Sequence, residues 1–173
     1  MKLLPKVLVW VSTLALASPL AIAASPASPA SVPSTRSTAA PLLGSWLLDT
    51  SRMPMPPDQR PKNVVLTFGN AGDGKWTVHV DVVYAPGNEV HSVSTSTLDG
   101  TTAAVENSPE ADRVALKQPA PNVLVMALLR KGVLVSTRIY SAMPGGHSLV
   151  ETAVYPGQDG TPVMKTNYFT RTR

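Results

Sequence analysis

Two runs of aliphatic and β-branched residues, joined by a short polar segment, constrain the fold of this chain more than any other feature. They lie in Asn122–Ala142, NVLVMALLRKGVLVSTRIYSA, on either side of Lys131 and Gly132. Gly132 can adopt a positive φ without steric cost, so these two residues are expected to form a tight turn between antiparallel strands. A lone hairpin is marginally stable in water, so other strands must cover it. The sequence therefore predicts an all-β domain.

Strict alternation from this turn divides the hairpin into two faces. Arg130 then pairs with Val133, and Met126 and Leu128 share that face, which we expect to line the interior. The outward face would carry an apolar stripe of Val123, Val125, Ala127, Leu129, Leu134 and Tyr140, together with Ser136 and Arg138. An exposed stripe of this size usually marks a protein partner, self-association or a membrane surface. The alternative is that the Pro-rich segment Met53–Pro61 or the N-terminal segment covers it.

The rest of residues 41–173 shows the same period of two. The clearest strand is Lys75–Ala85, whose inward face would carry Trp76, Val78, Val80, Val82 and Tyr84. About ten such segments follow one another at intervals of roughly 8–12 residues, separated by turns rich in Gly, Pro and Asp. This pattern predicts an antiparallel up-and-down β-barrel of about 8–10 strands, or a closed sandwich, because closure leaves no sheet edge exposed.

The N-terminal residues are predicted to direct export. Residues 1–23 combine Lys2 and Lys6, an apolar run and a final Ala-Ile-Ala, the pattern of a cleaved signal peptide. An uncleaved anchor is the alternative, which Pro19 and the small residues before the cleavage site disfavour. Residues 24–40 are rich in Ala, Ser and Pro and predict a disordered linker. We therefore expect a periplasmic or secreted protein.

Composition narrows the chemistry further. The chain contains no Cys, so it has neither disulfides nor thiolate metal ligands. Loss of the signal peptide would leave 13 basic and 11 acidic residues, a net charge of +2. No dense basic run remains, so we expect no nucleic-acid partner.

Several segments resemble a set of small exported bacterial lipocalin-like proteins. They are GSWLLDTSRM at Gly44–Met53 with the Pro-rich loop after it, EADRVALKQ at Glu110–Gln118, and RKGVLVSTRIYSA at Arg130–Ala142. The Gly-x-Trp opening is shared with lipocalins and fatty-acid-binding proteins generally. The resemblance implies a barrel of eight to ten strands that holds a small apolar ligand, and it carries over no catalytic residue. The chain departs from that pattern in its apolar outer hairpin face and in the turn Met143–Gly146.

Motifs for a cofactor or a metal are incomplete. Gly69–Lys75, GNAGDGK, nearly matches a phosphate-binding loop, but Trp76 replaces the Ser or Thr and a strand follows instead of a helix. His79 and Asp81 share one face of a strand, yet a metal centre needs further ligands. We predict no cofactor and no metal.

His91 has two open placements. A two-residue turn on Gly87 and Asn88 would set it opposite Tyr84, inside the barrel, whereas a four-residue turn would set it opposite Val82, near the mouth. In the first case a polar ring among apolar side chains needs a partner, which Tyr84 or a ligand would supply.

The sequence offers no catalytic set. No Ser lies in a G-x-S-x-G elbow, no pair of carboxylates is forced together, and Glu151 is expected at the rim or the surface. An uncharacterised hydrolase or isomerase remains the alternative, and it would need a polar cluster at the barrel mouth.

These observations predict a non-catalytic protein that binds a small, largely apolar molecule in the lumen. The predicted ligand-binding residues are Trp46, Trp76, Val78, Val80, Val82, Tyr84, His91, Met126 and Leu128. The alternative is a protein-interaction or structural module of the cell envelope that uses the outer stripe, with the lumen filled by side chains.

Overall fold

A computed structural model describes residues 40–172, which form one closed antiparallel barrel. Its strands are β1 Gly44–Leu48, β2 Asn63–Gly72, β3 Lys75–Ala85, β4 Asn88–Thr97, β5 Asp99–Glu106, β6 Arg113–Ala120, β7 Val123–Arg130, β8 Val133–Ala142, β9 Ser148–Pro156 and β10 Pro162–Arg171. Each strand pairs with its sequence neighbours, and β1 pairs with both β2 and β10. The up-and-down barrel predicted from the sequence is confirmed, with ten strands.

The helical content of the described residues is two short 3-10 turns, Thr50–Arg52 and Pro57–Gln59, in the Pro-rich loop between β1 and β2. No helix within residues 40–172 has the length and hydropathy of a membrane span. The predicted signal peptide and nearly all of the predicted linker fall outside the described residues, so both stay predictions.

The tight turn predicted on Lys131 and Gly132, between β7 and β8, is confirmed. Lys131 and Gly132 have φ values of 51° and 79°, and Arg130 pairs with Val133. Two consecutive positive φ angles match the right-handed twist of the flanking strands, which is why this turn favours Gly at its second position.

A bulge in β8 overturns the predicted faces of this hairpin. Leu129 pairs with Leu134 but Leu128 pairs with Ser136, so Val135 is an extra residue on β8. One extra residue moves every later side chain of that strand to the other side of the sheet. Arg138 and Tyr140 therefore face the interior, and the prediction that Tyr140 belongs to an outer stripe is wrong.

A second irregularity decides the position of His91. The turn between β3 and β4 lies on Pro86 and Gly87, and the register then shifts beside Tyr84. His91 consequently pairs with Asp81 on the outer face, not with Tyr84 or Val82. Its side chain is 62% exposed, so the prediction that His91 lines the lumen is wrong.

One half of the barrel is filled by side chains. We call it the packed end; it contains the β2–β3, β6–β7 and β8–β9 turns, and its largest completely buried apolar residues are Leu42, Trp46, Phe68, Leu116, Leu124 and Leu149. Trp46 donates from Nε1 to the Leu42 carbonyl over 2.8 Å, which satisfies its polar atom in the core. The Phe68 ring stands edge-on to Tyr140 at 5.4 Å between centroids.

Arg171 closes the packed end. Its guanidinium lies 4.0 Å from the Trp46 ring and donates to the carbonyls of Leu43, Pro41 and Gly146 over 2.5–2.6 Å. A Cβ on Gly44 would lie 2.6 Å from Arg171 Nη1, and Gly44 has a φ of 116°. Glycine is therefore required there, which explains the Gly of the Gly-x-Trp opening.

Candidate functional site

The opposite half of the barrel, which we call the cavity end, contains a cavity of about 430 Å³ that is partly open to solvent. It lies where β1, β3, β5, β7 and β9 end. Met53, Met55 and Pro61 of the Pro-rich loop line it from one side, and Ser108, Pro109 and Glu110 of the β5–β6 loop line it as well. Both loops thus form part of the cavity wall.

Most of the wall is apolar. It is formed by side chains on the inward positions of β1 to β7 and β10, among them Leu48, Val64, Leu66, Val78, Val80, Val82, Val105, Val114, Met126, Leu128 and Phe169. Alternation brings these residues to one surface, because positions two apart on a strand point to the same side. The Met53 side chain also packs against the core cluster.

Six of the nine predicted ligand-binding residues line this cavity: Val78, Val80, Val82, Tyr84, Met126 and Leu128. Whether they contact a ligand stays a prediction. Trp46 and Trp76 are 0% and 6% exposed and belong to the core cluster without lining the cavity. Their size suits them to fill the packed end, so a cavity-lining role for either tryptophan is not supported.

The wall formed by β8, β9 and Asn167 of β10 is polar. Arg138 of β8 donates to Glu151 Oε1 of β9 over 3.3 Å and to Glu110 Oε2 of the β5–β6 loop. Asn167 of β10 donates to Glu151 Oε2 over 2.6 Å, and Ser136 Oγ donates to Glu110 Oε1 over 2.9 Å. We call these five residues the Arg138 cluster. It joins three strands and a loop across the lumen.

Burial makes this cluster unusual. Glu151 is 2% exposed, against an expectation from the sequence that it lies at the rim or the surface, so that expectation is wrong. Leu149 and Ala153, which share its face, are fully buried. A buried carboxylate requires compensating donors, and Arg138 and Asn167 supply them. Arg138 Nε is itself buried without a hydrogen-bond partner among the described residues.

The electrostatics of the cluster follow from its burial and charges. Burial acts to lower the pKa of Arg138, but Tyr140, Glu151 and Glu110 together outweigh it and raise that pKa, so Arg138 stays charged. Burial, followed by the charge of Glu151, raises the pKa of Tyr140 well above 10. Burial likewise raises the pKa of Tyr155, which lines the cavity. Both tyrosines are therefore neutral hydrogen-bonding groups at physiological pH.

The β5–β6 loop is held in place from the β7–β8 hairpin. Arg130 Nε donates to the Glu110 carbonyl over 3.0 Å, and the Lys131 amide donates to Asp112 Oδ2 over 2.9 Å. Ser108 Oγ accepts from the amides of Glu110 and Ala111 over 3.2 Å. These contacts fix the backbone that carries Glu110 and so hold its side chain over Arg138.

The cluster can bind and orient a polar group. Arg138 holds both carboxylates in fixed positions beside the cavity. Within residues 40–172, no group of three His, Asp or Glu side chains is placed to hold a metal ion.

His91 forms a separate polar group on the outer surface. Its Nδ1 lies 2.7 Å from Asp81 Oδ1, and its Nε2 lies 3.3 Å from Glu89 Oε2. The hydrogen bond with Asp81, then that with Glu89, raises the pKa of His91 above 6.5. His79 lies on the same outer face of β3 as Asp81, where it pairs with Val93. The exposed position gives this group no access to the cavity.

The apolar stripe of the outer surface is smaller than predicted. Val123, Val125, Ala127 and Leu129 are half-buried on β7, Leu134 is exposed, and Ile139 takes the outward place expected for Tyr140. The Pro-rich loop lies at the cavity, with Met53 and Met55 in its wall, so the suggested cover of the stripe by these methionines is not observed.

Sequence reasoning missed the Arg138 cluster for two reasons. The bulge at Val135 reverses the faces of Arg138 and Tyr140, and no Gly or Pro marks it in the sequence. For Glu151 a signal was present, since it alternates with Leu149 and Ala153 in a strand that has an inward face. An acidic residue between apolar neighbours on that face indicates a buried carboxylate.

No protein-family model matches the chain, and the search of curated proteins finds no match either.

Proposed function

We propose that this chain is an exported, non-catalytic binding protein that holds a small, largely apolar molecule in its barrel. The observation that carries the proposal is the cavity of about 430 Å³ with an apolar wall on one side and convergent polar groups on the other. Ligand sites in proteins are typically cavities of about 300–1,000 Å³ with this division of the wall. Membership of the lipocalin-like proteins that the sequence resembles is part of the same proposal.

The cavity volume indicates how much of a ligand the barrel holds. At about 30 Å³ for each water-sized group, the cavity accommodates roughly 14 non-hydrogen atoms. Burying an aliphatic chain contributes about 0.8 kcal/mol for each CH₂ group, so a chain of ten carbons supplies a large driving force. Met53 and Met55 line the site with flexible side chains that adapt to irregular ligand shapes.

A second candidate function is protein interaction through the outer surface of the hairpin. It is favoured by the exposure of Leu134 and Ile139 on β8, beside the half-buried residues of β7. Side chains fill only the packed end, so the solid lumen that accompanied this alternative is not observed. Equilibrium sedimentation of the Ile139→Glu and Leu134→Glu variants tests for self-association through this surface.

Export is tested on the mature chain. If the first 23 residues are a signal peptide, the protein recovered from the periplasm or the medium begins at Ala24. N-terminal sequencing distinguishes this from an uncleaved anchor, which would leave Met1 in place.

Ligand binding is tested with a neutral apolar fluorophore, N-phenyl-1-naphthylamine. We expect saturable enhancement of its fluorescence by the protein and at least about a tenfold loss of affinity in Val80→Phe, whose new ring occupies the cavity. Val65→Phe is the matched control, because Val65 lies on the outer face of β2. Equal binding by both variants, or no binding by the wild type, contradicts the proposal. Native mass spectrometry of the purified protein then identifies retained lipophiles.

A further inference from the structure

The Arg138 cluster contains one guanidinium and two carboxylates in the wall of the cavity. A single Arg in an apolar lumen would attract an anionic head group. Here both carboxylates already bind that Arg, and the cluster carries a formal charge of −1. The sign of the charge that a ligand meets inside this barrel is therefore negative.

We propose that the barrel selects an apolar molecule with a hydrogen-bond-donating head group, a protonated amine above all, and rejects carboxylates. This inference rests on the proposed function and specifies the ligand class of the same site. It follows from the net charge of the cluster, the free acceptor sites of its carboxylates and the positions of the neighbouring charges.

The net charge of the Arg138 cluster disfavours a ligand with an anionic head group. A carboxylate that entered would bring a third negative charge next to Glu151 and Glu110, or would have to displace one of them from Arg138. Like charges juxtaposed in a binding site disfavour association, and an unpaired buried carboxylate is less stable than one left in water. An ammonium instead brings the charge of the cluster to zero.

The unoccupied acceptor sites of the two carboxylates favour a ligand that donates hydrogen bonds. An ionised carboxylate offers about four lone-pair sites. Glu151 accepts from Arg138 and Asn167, and Glu110 accepts from Arg138 and Ser136, one donor on each oxygen. Each carboxylate therefore has acceptor capacity for a further donor, such as an N–H of an amine or the O–H of an alcohol. Beside them, Arg138 Nε is a buried donor without a partner among residues 40–172, so the preference for a cationic head group rests on the net charge of the cluster.

Among the described residues that line the cavity, Arg138 is the only basic one, and both Lys165 and Arg130 lie outside that lining. Lys165 lies near the site, with Nζ 5.5 Å from the centre of the Tyr155 ring. Its side chain is exposed, so water and salt screen its charge more than they screen the buried Glu151. Arg60 donates to the carbonyls of Met55 and Ser51 within the Pro-rich loop.

The test compares three ligands with the same ten-carbon chain: decylamine, decanol and decanoate. Isothermal titration calorimetry at pH 7.5, below the critical micelle concentrations, measures the three dissociation constants. We expect decylamine to bind at least about tenfold more tightly than decanoate, with decanol between them. The mature net charge of +2 would by itself favour decanoate, so overall charge does not account for a preference for the amine.

Two variants link the preference to the cluster. Glu110→Gln and Glu151→Gln each remove one negative charge, and we expect either to reduce the ratio of decanoate to decylamine dissociation constants by about threefold or more. Glu110 lies on a partly exposed loop, so its variant keeps the test valid if Glu151→Gln fails to fold. Asp73→Asn is the matched control, because it removes a negative charge from an exposed turn at the packed end.

Each outcome decides one claim. Tighter binding of decylamine that weakens in Glu110→Gln but not in Asp73→Asn supports the inference. If decanol binds but decanoate equals or exceeds decylamine, the inference is wrong while the proposed function stands. An amine preference unchanged in both cluster variants also overturns it, since the charge would act from elsewhere. Absence of binding by all three ligands rejects the proposed function itself.

Discussion

The two ends of this barrel are built from the same alternating strands and differ in what their inward side chains do. The packed end is filled by large side chains such as Trp46 and Phe68. The cavity end places Val78, Val80 and Val82 on one wall and the Arg138 cluster on another, and about 430 Å³ remain empty between them. Alternation forms the wall of a barrel, whereas the volume of the inward side chains decides whether the lumen is filled.

The two inward-lying arginines sharpen this contrast. Arg171 donates to backbone carbonyls and lies over Trp46, so its charge closes the packed end and meets no carboxylate in these contacts. Arg138 donates to Glu110 and Glu151 inside the cavity. The contacts of Arg171 are structural, whereas those of Arg138 place polar groups beside the cavity.

The largest expected effect is at the packed end. Trp46→Ala should lower the free energy of unfolding by about 3–5 kcal/mol, because it opens a cavity among well-packed neighbours. Val82→Ala at the cavity end should cost far less, since its side chain already borders empty space. Urea unfolding measures both. Equal losses would show that the cavity end is as tightly packed as the other.

Arg138→Met tests the polar wall. It leaves two carboxylates without their cation, and we expect a loss of about 3 kcal/mol at pH 7. Adding Glu151→Met should restore part of that loss, because the fully buried charge is then gone.

Arg113→Met is the control, since Arg113 is exposed and should change stability by less than about 0.5 kcal/mol. If Arg138→Met is equally mild in urea unfolding, the cluster is solvated in solution and the contrast between the two ends is weaker than described.

The smallest of the expected effects on the free energy of unfolding is at high pH. Burial keeps Tyr140 neutral in the folded barrel, whereas in the unfolded chain it ionises near pH 10. Above pH 10 the unfolded state has therefore released a proton that the folded state retains, and stability falls as pH rises. The slope contributed by one such residue is about 1.4 kcal/mol per pH unit.

Urea unfolding between pH 9 and pH 11 measures that slope, and Tyr140→Phe should make it shallower. A wild-type slope that Tyr140→Phe leaves unchanged would mean that the Tyr140 hydroxyl reaches water inside the cavity end.

Strand identity could be predicted from the sequence, but strand register could not in two places. All ten strands follow from period-two alternation and from turn residues such as Lys131 and Gly132. The side chains that point into the barrel are predicted correctly along β3 and β7, because no bulge interrupts the alternation of these residues. They are wrong after Val135 in β8 and at His91 in β4, because a shift of one residue reverses every side chain that follows.

The sequence by itself determined that this chain forms an all-β domain without disulfides, because apolar residues at every second position mark strands with one buried face and no Cys is present. The closure of these strands into a barrel is seen in the tertiary structure. Only the tertiary structure decided that Glu110, Arg138 and Glu151 meet in the lumen. They are distant in the chain, and a single bulge sets which side Arg138 faces. Such a register is settled by packing all around the barrel, which no local pattern of residues encodes.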